Sequence, residues 1–197
     1  QSTGGTEQVS AYGDVTRTLT RSGITYADLG LESEAALASL TEDLIEQASD
    51  VVDTYCGRDF ALHEAVTERL DGNGRERIRL AGHPLLSITS VTLGSTPLDS
   101  TSYEVHPGAG ILERIDGGVW SAGRRNIAVV YTYGFTTPPA AITGIVEDLV
   151  AGALTHAARN RATKGASSMS MDGYSVAYSE LSRLMVLAPE QMQTLDR

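Results

Sequence analysis

Two stretches with the period of an α-helix bracket one with the period of a β-strand, and this alternation restricts the folds open to the chain. From Ser33 to Cys56 the apolar residues Ala36, Leu37, Leu40, Leu44, Ile45, Ala48, Val51, Val52 and Tyr55 recur at steps of mostly three, four and one. That spacing gathers them into one helical stripe. Ser33 suits the N-cap, Glu34 complements the positive helix start, and Gly57 suits the left-handed residue after the helix end. Thr137-Pro138-Pro139 opens a second helix, since proline in a first turn forfeits no hydrogen bond. Ile142, Ile145, Val146, Leu149, Val150, Ala153, Leu154 and Ala157 carry its stripe to about residue 161. Gly144, Ala151 and Gly152 are small enough for another helix to approach closely.

Over residues 65–134 the period falls to two. Val66, Glu68 and Leu70 lead into Asp71-Gly72-Asn73-Gly74 and then Arg77-Ile78-Arg79-Leu80, a pattern that predicts a hairpin. Residues 86–93 form a strand that Gly94-Ser95-Thr96-Pro97 turns. Tyr103-Glu104-Val105 and residues 111–115 flank a turn at Pro107-Gly108-Ala109-Gly110, and residues 126–133 close the block. The expected fold is α+β: a helical bundle built on two long helices, with an inserted small antiparallel β module and an extended C-terminal tail. The expected organisation is an N-terminal arm over 1–32, a central domain over 33–162 and a tail over 163–197. The central domain divides into helix 33–56, β insert 65–134 and helix 138–161.

The arm is polar, with Val15, Leu19, Ile24 and Leu29 available to dock on a neighbour. The tail opens on the low-complexity residues 164–171. Tyr174, Val176 and Tyr178 then alternate as on one face of a strand, and Leu181, Leu184, Met185 and Leu187 suggest a short helix. A lone strand leaves its backbone groups unpaired, so it must join its own sheet or another chain.

Charge excludes several function classes. The chain holds 25 acidic and 15 basic residues, a net of −10. Residues 1–57 carry ten acids against two bases, whereas 58–135 and 136–197 are each near balance at −1. Such a chain has no general attraction for nucleic-acid phosphates, whose binding needs clustered Lys and Arg. Lys164 is the one lysine, which fits either a high-salt cytoplasm or a GC-rich genome. No apolar run of about 18 residues predicts a membrane span. The polar, Gly-rich start lacks a signal-peptide pattern, and the lone Cys56 can form no internal disulfide, so cytoplasmic assembly is the simplest expectation.

Motifs of chemistry are missing. Asp71-Gly72-Asn73-Gly74 begins like a calcium loop, but the twelfth position is Gly82 rather than Glu. Gly72-x-Gly74 extends to no dinucleotide fingerprint, and no phosphate loop or Gly-x-Ser-x-Gly elbow occurs. His63, His83, His106 and His156 lack zinc spacing. Cys56 has no evident base and reads as a small hydrophobe at a helix end. No enzymatic activity, cofactor or metal is expected. The first helix bears Glu42, Asp43, Glu46, Asp50 and Asp53 opposite its stripe, as a solvated face or one that repels DNA and wrong partners. Arg124-Arg125 is either a turn beside a strand or a contact for an acidic neighbour. Glu46, Asp50, Asp53, Arg124 and Arg125 are therefore candidates for a subunit interface.

Taken in order, the elements resemble a known family. The acidic helix ends Asp53-Thr54-Tyr55-Cys56-Gly57-Arg58-Asp59-Phe60, and Arg69-Leu70-Asp71-Gly72-Asn73-Gly74 follows. Next come Pro84-Leu85-Leu86-Ser87-Ile88-Thr89-Ser90-Val91, Tyr103-Glu104-Val105 and Gly110-Ile111-Leu112. Val130-Tyr131-Thr132-Tyr133-Gly134-Phe135, the Pro138-Pro139 helix and Gly173-Tyr174-Ser175-Val176 complete the series. This order resembles the head–tail connector (adaptor, head-completion) proteins of tailed double-stranded DNA viruses over about residues 35–178. The resemblance implies a dodecameric ring in the virion, bound beneath the portal protein, with 33–162 as the connector domain. It would extend the DNA channel, let DNA pass without specific binding, and present a platform to a stopper or tail protein. It further implies that residues 163–197 reach toward the portal, with Tyr174, Val176, Tyr178, Leu181, Leu184 and Met185 as docking residues. A head-closure or tail-completion protein of the same junction is the nearest alternative. A host ligand-binding domain would need a convergent polar cluster that the sequence does not show.

Overall fold

The computed structural model describes residues 11–164 and 185–196. They fall into a helical unit, residues up to Asp59 and from Pro138 onward, and a strand unit, Phe60–Thr137.

Five α-helices make up the helical unit among the described residues. They are α1 (Val15–Ser22), α2 (Tyr26–Leu29), α3 (Glu34–Cys56), α4 (Ala140–Lys164) and α5 (Pro189–Leu195). Ser33 caps α3 by accepting from the Ala36 N–H at 3.2 Å. Gly57 ends it at φ 64, a left-handed conformation that favours glycine. Leu37, Leu40, Leu44, Ile45, Ala48 and Val52 bury the α3 stripe, and Ile142, Ile145, Val146, Val150 and Leu154 bury that of α4. Helix α4 packs on α1, α2, α3 and α5. By length and composition α4 could cross a membrane, but half of its apolar window is buried in the protein.

The described arm residues, 11–32, fold onto this framework. Asp14 caps α1 by accepting from the Arg17 N–H at 2.7 Å, and Thr25 and Asp28 form a reciprocal cap at α2. Val15, Leu19, Ile24 and Leu29 are half-buried. The decisive contact is polar. Glu147 of α4 is 1% exposed, and a buried carboxylate is costly unless paired. Its Oε1 accepts from the Asp14 N–H at 3.3 Å and meets Arg17 at 3.1 Å, while Oε2 meets Arg21 at 3.4 Å. Arg21 also pairs with Asp148. Helix α1 is therefore held over α4 by the charges that Glu147 requires.

Seven strands build the strand unit: β1 (His63–Gly72), β2 (Arg77–Arg79), β3 (Leu85–Leu93), β4 (Thr96–Pro97), β5 (Tyr103–His106), β6 (Ile111–Arg114) and β7 (Gly123–Tyr133). They form a sheet of order β1-β7-β3-β4 and a second of order β2-β6-β5. All the pairings are antiparallel. Ile78, Leu80, Val91, Leu112, Trp120, Ile127, Val129 and Tyr131 join both sheets in one core.

Two expectations are corrected. The fold is α+β but not a bundle of two long helices with a small β module. Short helices α1, α2 and α5 complete the helical unit, and the strands form two sheets of four and three. Polar caps and Glu147 recruit the short helices, so no long apolar stripe announces them. The hairpin across Asp71-Gly72-Asn73-Gly74 is also absent, because β1 pairs with β7 and β2 with β6. Trp120 decides this. Its N–H donates to the Arg75 carbonyl at 2.8 Å and its indole N–H to the Glu76 carbonyl at 2.9 Å, drawing the chain after the turn into the second sheet.

Removing both arginines leaves Glu147 buried and unpaired. Arg17→Ala with Arg21→Ala lowers stability by about 3 kcal/mol, and adding Glu147→Gln restores most of it, as urea unfolding followed by circular dichroism would show. Gly134 sits at φ 98, where an added Cβ would lie 1.8 Å from the Ala61 carbonyl oxygen. Gly134→Ala therefore destabilises by about 2 kcal/mol or more, measured through the fluorescence of Trp120.

Candidate assembly interface

Glu42, Glu46 and Asp50 stand exposed one turn apart along α3. Like charges four residues apart destabilise a helix by about 0.2–0.5 kcal/mol per pair, so this row is a burden that folding does not explain. Asp53, one turn further, behaves differently. It is half-buried, and its Oδ2 accepts from the Tyr12 hydroxyl at 2.8 Å. Its Oδ1 is buried without a hydrogen bond among the described residues. Burial pushes this carboxyl up to about 6, opposed by the Tyr12 hydrogen bond and reinforced by Asp59 and Asp50. The Tyr12 N–H donates to Ser49 Oγ at 3.0 Å. Asp53 is thus an anchor for the segment before α1 more than a free surface charge.

The end of α3 is closed by the C-terminal segment. The Tyr55 hydroxyl donates to Asp196 at 2.9 Å, and Met185 and Leu187 are buried, 5% and 6% exposed. Burial raises the pKa of the Cys56 thiol, which works against a reactive thiolate.

In the strand unit, the loops over 71–76 and 116–126 are tied into one tip. The Gly72 N–H donates to Asn126 Oδ1 at 2.8 Å, and Asn126 Nδ2 donates to the Ser121 carbonyl at 2.8 Å. The Gly74 N–H donates to the Trp120 carbonyl at 2.7 Å. Asp71 accepts from the Arg125 N–H, holding Arg125 at φ 47. Asn73 bonds the Arg75 N–H and the Arg77 carbonyl, both at 2.9 Å. The acidic and amide side chains that suggested a calcium loop are therefore engaged in closing the turn. Arg114 grips Asp116 through two hydrogen bonds of 3.0 and 2.6 Å and lies 5.5 Å from the Trp120 ring centroid. This leaves Arg75, Arg124 and Arg125 exposed on the tip, with Val119 42% exposed nearby in sequence.

Two other polar clusters lie within the strand unit. The Tyr131 hydroxyl donates to Glu68 at 2.6 Å and accepts from the Gly82 N–H at 3.1 Å; burial, then Glu68, raises its pKa. Glu113 accepts from Arg77 and His106, each at 3.0 Å, and Arg77 first and then His106 lower its pKa. No group of three metal-ligating side chains occurs among the described residues.

Of the residues singled out in the sequence, Glu46 and Asp50 are exposed together on α3, and Arg124 and Arg125 are exposed together on the strand-unit tip. Asp53 is tied to Tyr12, and Met185 is buried in the helical unit. Tyr174, Val176, Tyr178, Leu181 and Leu184 lie outside the described residues. Arg75, Trp120 and Glu147 were missed. An acid inside an otherwise apolar run, Ile145-Val146-Glu147, was a legible signal for the last; nothing local marked Arg75.

Folded Asp53 keeps its proton to about pH 6, against an ordinary 3.8. Its contribution thus favours folding below pH 3.8 and is lost as pH rises through about 6. In Asp53→Asn this dependence disappears. The stability difference between the two proteins shifts by about 1 kcal/mol from pH 4 to pH 7, after discounting for solvent screening, readable as urea midpoints at each pH.

No curated protein matches the chain. Solved structures of gene transfer agent particles are similar to it. One, the neck of an empty particle computed with C6 symmetry, is 15% identical, covers 94% of this chain and 95% of its own, and has a TM-score of 0.47. Another, the virion of a native particle, is 18% identical, covers 88% and 89%, and has a TM-score of 0.45. Likenesses of this strength carry no functional argument. A family model described as head completion protein matches residues 26–190, a span that takes in the strand unit and helices α2, α3 and α4 whole. The chain belongs to the head completion protein family.

Proposed function

We propose that copies of this chain, twelve in number, form a ring that binds the portal, extends the DNA channel and gives the tail its attachment site. The observation that carries this reading is the family match across residues 26–190. The role is structural rather than catalytic. The polar clusters described above are engaged in holding loops and helices, which suits a rigid scaffold. A net charge of −10 per copy supports a conduit through which duplex DNA slides without being gripped. The docking residues for the portal are Tyr174, Val176, Tyr178, Leu181 and Leu184, and buried Met185 moors the far end of that segment to the helical unit.

Native mass measurement of the full chain, alone and mixed with its portal, tests the reading. A discrete twelve-copy assembly on the portal is expected. A monomer that ignores the portal would overturn it, and binding only to a ring already seated there would favour a head-closure role. Tyr174→Ser with Val176→Ser is expected to weaken portal binding at least tenfold while leaving the thermal unfolding midpoint unchanged. Tight duplex binding by the assembled ring at moderate salt would defeat the conduit role.

A further inference from the structure

We propose that the arginine tip of the strand unit docks on the acidic row of α3 of a second copy of this chain, so that copies join head to tail. This rests on the ring reading and specifies its subunit contact. The helical unit holds 17 acidic and eight basic residues, a net of −9, whereas the strand unit holds eight and seven, a net of −1. The two units therefore differ in what they attract. Arg75, Arg124 and Arg125 are exposed and their guanidinium groups pair with no carboxylate among the described residues, whereas those of Arg17, Arg21, Arg77 and Arg114 all do.

The tip is also built in advance. Hydrogen bonds from Asp71, Asn73, Asn126 and Trp120 fix both loops, and Arg125 is held in a left-handed conformation by Asp71. A fixed backbone loses little freedom when its side chains find a partner. The complement is Glu42, Glu46 and Asp50, spaced over two helical turns, about 12 Å. Their mutual repulsion is relieved when cations arrive. Duplex DNA is the other anion such a tip could meet, but a copy's net charge of −10 opposes its approach. Asp53 belongs to Tyr12 and takes no part. A tip meeting a different patch is a heterologous contact, the kind that closes into rings.

Two full-length variants test this, each checked for native Trp120 fluorescence. One carries Arg75→Glu, Arg124→Glu and Arg125→Glu; the other carries Glu42→Arg, Glu46→Arg and Asp50→Arg. Native mass spectrometry reads assembly under the conditions in which the wild type assembles, with the portal present. Each variant alone is expected to lose at least tenfold in ring yield, because its tip and row repel. An equimolar mixture is expected to recover rings in which the two variants alternate, since each then meets an opposite charge. Rings from either variant alone at wild-type yield would overturn the inference and leave the ring reading standing. Rings at wild-type yield together with loss of weak duplex binding by the first variant would assign the tip to nucleic acid instead. A wild type that forms no ring, with or without portal, would overturn the ring reading itself.

Discussion

A single buried carboxylate organises the helical unit. Glu147 sits inside the apolar stripe of α4, where an unpaired charge would cost several kcal/mol. The partners are not on α4 or α3 but on the segment before them, at Asp14, Arg17 and Arg21. A polar arm that would bury little apolar surface by itself is thereby recruited into the core. Both arginines remain partly exposed, 64% and 42% at the side chain, so their own attraction is screened. The strength of the link lies in Glu147, which has no alternative solvation once α1 leaves.

The strand unit follows a parallel logic with a different group. Trp120 is fully buried, and its two N–H donors reach Glu76 and Arg75. Those bonds separate β2 from β1 and so produce two sheets around one core. They also bring the 71–76 turn against the 116–126 loop, fixing the arginines at the tip. Packing and display are thus linked: the contact that closes the core also presents the charged loops.

Several titratable groups with shifted pKa values have structural partners: Asp53 with Tyr12, Tyr131 with Glu68, Glu113 with Arg77 and His106. Glu42, Glu46 and Asp50 on α3, and Arg75, Arg124 and Arg125 on the strand-unit tip, are two exposed groups of like charge among the described residues. Such groups lower the stability of an isolated chain slightly. They become favourable only when another surface brings the opposite charge.

What the sequence determined by itself is local. The cap at Ser33, the left-handed stop at Gly57 and the buried stripes of α3 and α4 depend on residues a few positions apart, and they were legible. So were the β5–β6 pair around Pro107-Gly108-Ala109-Gly110 and the exposed acids of α3. Strand partners were not. Asp71-Gly72-Asn73-Gly74 has the composition of a hairpin turn, yet it joins two sheets, because the competing bonds come from Trp120, 44 residues beyond Glu76. The docking of α1 was hidden for the same reason: Asp14 and Glu147 are 133 residues apart. Asp53 looked like one more solvated acid until Tyr12 was found against it, 41 residues away. Only the tertiary structure decides these, since the energy of a buried polar group depends on which distant partner reaches it, and no local pattern carries that information.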